Sequence, residues 1–308
     1  MITPDNRFYQ QVQLLVAVLP RVAEEACFAL KGGTAINLFI RDLPRLSVDI
    51  DLAYLPLGDY SSARAAIDAA LRRIGARLSS GSPSYDITVG ATDGTGPIDT
   101  LNVTDRAHSV KIEVNPVLRG SVNEPVLMTL RPSAQDIFGF AQITTLAFED
   151  IYAGKLMAAL DRQHPRDLFD VMVLMEHEGI SERLFKTWIA YLVGHKGSMA
   201  DTLDPARKDI SQLYRNQFLT MSTRDVSLEQ LQDTRERLIA ELRGRLGAQE
   251  KSFLLSVKQG EPRWELLGLD GVEDLPAVRW KLLNLRNMSR QARERAIARL
   301  ERVLSAID

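Results

Sequence analysis

Cysteine is almost missing from this sequence: Cys27 stands alone in 308 residues. One thiol cannot close an intramolecular disulfide or build a multi-cysteine zinc site. Its neighbours Ala26 and Phe28 predict a packing role for it. Histidine is nearly as scarce, and His108, His164, His177 and His195 are too scattered to suggest a metal cluster. No stretch approaches the roughly eighteen apolar residues of a membrane span. No basic-then-apolar leader opens the sequence, so the cytoplasm is the expected compartment. The net charge of −2 lacks the excess that would mark a polyanion binder by charge alone. Internal repeats are absent. With 45% hydrophobic and 25% charged residues, the composition is that of an ordinary globular protein. The length predicts one large domain or two modest ones.

Against this plain background, residues 30–52 stand out. Leu30-Lys31-Gly32-Gly33-Thr34-Ala35 is followed by Arg45-Leu46-Ser47-Val48-Asp49-Ile50-Asp51-Leu52. On a strand, Asp49 and Asp51 point to one face while Val48, Ile50 and Leu52 point to the other. Two carboxylates about 5 Å apart repel by roughly 3 kcal/mol at an effective dielectric near 20. A shared proton or a hard cation offsets that repulsion, and oxygen donors suit Mg²⁺. Gly32 and Gly33 permit a tight turn and close approach of a ligand to the backbone. A helix starting near Thr34 would aim its free N–H groups at a phosphate. Ser47 shares the strand face of the carboxylates and can donate to a phosphate oxygen. The bland alternative is a glycine turn followed by an edge strand with two solvated acids.

Around this motif the pattern predicts a helix over 5–19 stopped by Pro20, a strand at Ala26–Leu30, and a helix after Gly33 ending before Pro44. The acidic strand spans Ser47–Tyr54, and a helix follows over Ser61–Leu78. Strands are expected at Tyr85–Val89, Thr100–Val103 and Ser109–Val114, with a turn at Thr92–Pro97. Alternation in the third of these strands places Lys111, Glu113 and Asn115 on one face. From about residue 147 the character is helical, with helices over Phe148–Gln163 and Asp167–Glu178, the latter closed by Gly179. Ser227-Leu228-Glu229-Gln230 forms a capping box, and Leu228, Leu231, Arg235, Leu238, Leu242 and Leu246 trace a seam ending at Gly247. That seam reads as intramolecular core.

The segment Arg279–Arg302 holds eight basic residues against Glu294 and Glu301. Arg295, Arg299 and Arg302 form one stripe of a helix beside an apolar stripe of Ala296, Leu300, Val303 and Ile307. It reads either as a phosphate track for RNA or as a solvated amphipathic face. Trp264 and Trp280 are expected to pack, although either can stack on a base.

Gly32-Gly33-Thr34 followed by Ser47-x-Asp49-x-Asp51 resembles the signature of the DNA polymerase β-like nucleotidyltransferase superfamily. More narrowly, the sequence resembles the AbiEii/AbiGii-type nucleotidyltransferase toxin family. The narrower likeness rests on Lys31-Gly32-Gly33-Thr34-Ala35, on Arg45-x-Ser47-x-Asp49-Ile50-Asp51-Leu52, and on Lys155-Leu156-x-Ala158-x-Leu160 with Arg166-Asp167-Leu168-Phe169-Asp170. It covers roughly residues 28–175. It implies an α+β fold: a nucleotidyltransferase domain over 1–145 with a mixed sheet flanked by helices, then an α-helical domain over 146–308. It also implies that Lys155 contacts the triphosphate and that Asp167 completes the active site. A flexible ammonium suits phosphate. For Asp167, an acid in the first turn of a helix is favoured by the dipole in any case. Asp170 can pair with Arg166.

Superfamily members place a third carboxylate on a neighbouring strand, and Glu113 is the residue offered here. Asp99 and Asp86 are fallbacks, and an ion pair with Lys111 is the structural alternative. The expected reaction is Mg²⁺-dependent transfer of a nucleoside monophosphate from an NTP, with release of pyrophosphate. Asp49 and Asp51 would hold the metal, and Gly32, Gly33, Thr34, Ser47 and Lys155 would hold the nucleotide. The resemblance implies a toxin of a type IV toxin–antitoxin or phage-defence pair, with a cognate antitoxin and an RNA acceptor such as the 3′ end of transfer RNA. The alternatives are transfer to protein hydroxyls or to a small molecule such as an aminoglycoside, or an NTP- or RNA-binding module without turnover.

Overall fold

A computed structural model describes residue 6 and residues 8–91 and 96–307. The chain divides into two units. The first runs up to Ile151 and takes back Leu219–Asp225, and the second comprises Tyr152–Phe218 and the residues from Val226 onward. The expected boundary at 145/146 did not foresee the return of Leu219–Asp225.

The first unit is built on a mixed sheet of seven strands: β1 (Phe28–Lys31), β2 (Asp49–Tyr54), β3 (Asp86–Gly90), β4 (Thr100–Thr104), β5 (Ser109–Val114), β6 (Val126–Thr129) and β7 (Gln142–Thr145). Their order is β3-β4-β5-β2-β1-β7-β6. β2 runs parallel to β5, and β1 parallel to β7; the remaining neighbours are antiparallel. Period-two alternation puts Leu30, Ile50, Leu52, Leu101, Ile112 and Val114 into the core. Helices α1 (Tyr9–Ala23) and α3 (Tyr60–Ser80) pack on the sheet and on each other. Between β1 and β2 the chain makes a single α-turn, α2 (Gly32–Thr34), which continues into a π-helical turn over Ala35–Ile40. Helix α4 (Pro132–Phe138) lies between β6 and β7 in sequence.

The second unit is helical. Its elements are α5 (Phe148–Asp161, which starts in the first unit), α6 (Pro165–Glu176), α7 (Glu182–Gly194), α8 (Met199–Leu203), α9 (Ser211–Gln217), α10 (Leu228–Gly244), α11 (Ala248–Gln259), α12 (Pro276–Arg286) and α13 (Arg290–Ser305). Turns of 3-10 helix occur at Trp264–Leu266 and Val272–Asp274. The core includes Leu168, Phe169, Leu184, Trp188, Leu231, Leu238 and Phe253. The capping box at Ser227 and Gln230 is present, and α10 packs on α6, so its leucine seam is intramolecular core.

Several elements differ from their sequence expectation. Helix α1 passes through Pro20 and ends at Ala23. An internal proline costs about 3 kcal/mol. Burial of Leu19 and Val22 beside it, at roughly 1.5–3 kcal/mol each, offsets that cost. The helix after Gly33 ends at Ile40, well short of Pro44. Asn37 Nδ2 donates to the Gly33 carbonyl (2.8 Å), and the wider Arg41 N–H to Ile36 carbonyl bond (2.7 Å) follows. A side chain thus occupies an acceptor of the α ladder, and the turn opens to π spacing. Helix α5 ends at Asp161, and Gln163 takes a left-handed φ of 54°. Pro165 then starts α6, two residues before the expected start at Asp167, its fixed φ suiting a first turn. Helix α10 stops at Gly244, and Gly247 caps α11. Of the expected turn at Thr92–Pro97, residues 92–95 lie outside the described residues. Among the described residues no helix is long and apolar enough to cross a membrane.

Candidate active site

In the first unit, strand register assembles a polar face. Across β1, β2, β5 and β4, one row reads Lys31, Asp51, Glu113 and Thr100. The next row reads Asp49, Lys111 and Asn102 on β2, β5 and β4. Register partners on neighbouring strands share a face, so the carboxylates of Asp49, Asp51 and Glu113 lie on one side of the sheet with Lys31 and Lys111. Asp49 and Asp51 are half-buried, and the Lys111 and Glu113 side chains are nearly half exposed. Lys111 ion-pairs with Glu113. That hydrogen bond, followed by the charges of Glu113, Asp49 and Asp51, holds the Lys111 ammonium above the usual lysine range against a smaller effect of burial. Lys111 therefore sits in the combined field of the three acids.

The glycine turn is pressed onto the acidic strand. Gly32 has a left-handed φ of 74°, and a Cβ there would collide with the Asp51 carboxylate. A Cβ at Gly33 would lie 2.8 Å from both Arg45 Nη2 and Ser47 Oγ. Neither position can carry a side chain without displacing the groups expected to meet a nucleotide. Thr34 is fully buried; its hydroxyl donates to the Asp49 carbonyl (2.5 Å) and lies 3.2 Å from Ser47 Oγ. Ser47 is 6% exposed. Arg45 is 2% exposed and donates to the Leu46 carbonyl (2.8 Å). The returning segment Leu219–Asp225 braces this stretch through Leu46 N–H to the Met221 carbonyl (2.8 Å) and Thr223 N–H to the Pro44 carbonyl (3.1 Å).

The fallback acids lie elsewhere. Asp99 is buried and paired with Arg64 (3.2 Å). Asp86 is exposed on the edge strand β3, with β4 and β5 between it and β2. Among the described residues, no group of three or more His, Cys, Asp or Glu side chains converges to hold a metal. The donor set still fits Mg²⁺. This ion binds through one or two carboxylates and takes its other oxygens from substrate phosphates and water, and Asp49 and Asp51 supply two carboxylates from one strand face.

In the second unit, Lys155 on α5 meets α6. Its Nζ lies 2.7 Å from Asp167 Oδ1 and 3.0 Å from Asp170 Oδ2. Arg162 donates to Asp167 through Nε (2.5 Å) and Nη2 (3.1 Å). Lys155, Asp167 and Asp170 are all buried. Burial would push the Asp167 carboxyl up, but Lys155 and then Arg162 outweigh it and hold the carboxyl well below the usual range. Lys155 is thus a pinned ammonium between two carboxylates, in place of the flexible side chain expected from sequence. His164 caps α6 by accepting from Arg166 N–H (3.1 Å), a role its isolation in sequence did not reveal.

Lys31, Arg45 and Lys111 join the first group, and Arg162 and Asp170 the second. Alternation hinted at Lys111, but the position of Lys31 beside Asp51 depends on register alone. Cys27 is half-buried, and burial pushes its thiol pKa up. Trp264 packs at 5.6 Å from Phe253, whereas Trp280 is 58% exposed and does not take the packing role expected of it.

A mixed sheet that carries a glycine turn against two acids of the next strand is the working face of a nucleotidyltransferase. The family described as "Nucleotidyl transferase AbiEii toxin, Type IV TA system" matches residues 13–284. The chain belongs to this family and is a nucleotidyltransferase toxin of the type IV toxin–antitoxin class. Among solved structures it is similar to MenT4, a nucleotidyltransferase toxin from Mycobacterium tuberculosis H37Rv. That likeness has a TM-score of 0.61 at 14% identity and covers 97% of this chain and 95% of the other. No curated protein matches the sequence.

Proposed function

We propose that this toxin transfers a nucleoside monophosphate from an NTP to an RNA hydroxyl, with the 3′ end of transfer RNA as acceptor, in a Mg²⁺-dependent reaction. The observation that carries this reading is the open polar face on which Asp49 and Asp51 stand together, with Glu113 in register beside Asp51. Asp49 and Asp51 hold the metal, and when bound there Mg²⁺ supplies charge neutralisation for the triphosphate. The backbone at Gly32 and Gly33 lets phosphate oxygens approach closely. Lys31 and Lys111 add positive charge on the same face. Glu113 accepts the proton of the attacking hydroxyl as the new phosphodiester forms and pyrophosphate leaves. Most of the rate enhancement is positioning and charge neutralisation. Lys155 and Asp167, which the resemblance assigned to the triphosphate and the active site, are both buried in their ion pair, and no step of the transfer is assigned to them.

The test is incubation of the full chain with Mg²⁺, total transfer RNA and each α-labelled NTP in turn, beside an Asp49→Ala control. Label entering RNA from one nucleotide, and absent in the control, is the expected result. Label on protein alone moves the acceptor to protein hydroxyls, and the RNA reading is then lost.

A further inference from the structure

Helix α12 is held from one side. Val278 and Leu285 are buried, and the helix packs on α7. Lys281 Nζ donates to the carbonyls of His195 (2.9 Å) and Gly197 (2.5 Å). At 3.6 residues per turn, the direction opposite Val278 and Leu285 is taken by Trp280, Leu283, Asn284 and Asn287. Trp280 is 58% and Leu283 47% exposed, and both asparagines are exposed. Arg279 and Arg286, seven residues apart, are exposed along one edge of this face.

From Leu275 to Arg293 the sequence holds Arg279, Lys281, Arg286, Arg290 and Arg293 and no carboxylate. The pair of Arg279 with Asp274 (2.6 Å) joins two side chains that are each more than half exposed, and such a pair is weak in water. Two arginines of α13 sit in pairs that are about as exposed or more so. Arg290 pairs with Glu294 (2.8 Å), Arg299 pairs with Asp201, and Arg293 donates to the Leu285 carbonyl (2.8 Å).

We infer that this face of α12 binds a single-stranded segment of RNA. A base stacks on the Trp280 indole, the backbone runs past Arg279 and Arg286, and Asn284 and Asn287 meet base edges. The inference rests on the RNA-acceptor reading above and names a surface for it. An indole offers a stacking platform to any base, and guanidinium groups pair with phosphate. Anchoring by Val278, Leu285 and Lys281 holds the platform rigid, so little ordering is needed on binding. A protein partner fits less well. The apolar part of the face is Trp280 and Leu283, whereas a stable protein interface covers about 800 Å² on each side. The basic edge of Arg279 and Arg286, where Arg279 is engaged with Asp274 only through an exposed ion pair, is complementary to a polyanion.

The experiment measures fluorescence anisotropy of fluorescein-labelled transfer RNA with the full chain and with Trp280→Ala, Trp280→Phe and Arg286→Gln. Trp280→Ala is expected to weaken binding about tenfold. Trp280→Phe is expected to retain most of the affinity, and Arg286→Gln to lower the salt dependence by about one phosphate contact. NTP affinity and circular dichroism stay unchanged in all three, since these side chains are exposed. Wild-type affinity in Trp280→Ala overturns the inference, and the RNA-acceptor reading survives if the wild-type chain still labels RNA. If the wild-type chain neither binds nor labels RNA, both readings fall together. Loss of self-association in Trp280→Ala, with RNA binding intact, makes the face a protein interface and also overturns the inference.

Discussion

Single side chains on the polar face of the sheet act under tight steric limits. Gly32 is the sharpest case, because its φ of 74° and the space beside it both exclude a Cβ. Gly32→Ala is expected to cost about 1–2 kcal/mol from the left-handed backbone alone and to move Asp51. Thermal unfolding should register the first effect, and loss of nucleotide transfer beyond any loss of fold the second. The buried group around Lys155 obeys a different balance. Desolvation of the buried charges of Lys155, Asp167 and Asp170 costs several kcal/mol each, and their mutual pairing, with the exposed Arg162 on Asp167, offsets it. Lys155→Ala leaves a buried carboxylate short of its cation, so a loss of about 3–5 kcal/mol is expected in urea unfolding. Asp167 has a folded pKa held below its unfolded value. Its contribution to stability is therefore present above the ordinary carboxylate range, near pH 4, and is lost as pH falls toward its folded pKa. Asp167→Asn should be less stable than wild type at neutral pH and should show a shallower acid dependence. Equal acid slopes in the two proteins would contradict this.

At the level of elements, packing decides several outcomes against local propensity. Helix α1 keeps its last turn past Pro20 because Leu19 and Val22 are buried there. The turn after Gly33 widens to π spacing because Asn37 takes the Gly33 carbonyl. Helix α12 is fixed to the loop after α7 by Lys281, whose pKa is lowered to about 8 by burial and then by Lys258. A lysine with a depressed folded pKa binds fewer protons in the folded chain than in the unfolded one between about pH 8 and its ordinary value near 10.4. Stability from this group therefore rises with pH across that window and is flat below it. Urea midpoints measured at about pH 7.5 and 9.5 should show the rise in wild type and a smaller one in Lys281→Met.

The whole molecule joins a sheet-based unit to a helical unit, and its family assigns it nucleotidyl transfer. If Asp49 and Asp51 hold the metal as proposed, EDTA should abolish labelling of RNA while circular dichroism stays constant, and added Mg²⁺ should restore it. Unfolding on chelation would instead make the ion structural. Much of this protein is legible in its residues taken in order. The glycine pair, the Asp49-x-Asp51 spacing and the alternation of β5 are local patterns, because side-chain direction on a strand or helix follows from sequence spacing alone. So are the capping box of α10 and the Lys155 and Asp167 motifs. The acidic face of β2, the helical second half and the family are therefore written into local residue order. Folding in three dimensions was needed to place Lys31 and Glu113 beside Asp51, Lys111 among three acids, and Lys155 between Asp167 and Asp170. It also brings Leu219–Asp225 back to hydrogen-bond the backbone of Pro44 and Leu46 and leaves Trp280 facing solvent. The physical reason is that strand register, ion-pair partners and burial are relations between segments distant in the chain, and no local pattern encodes which segments meet.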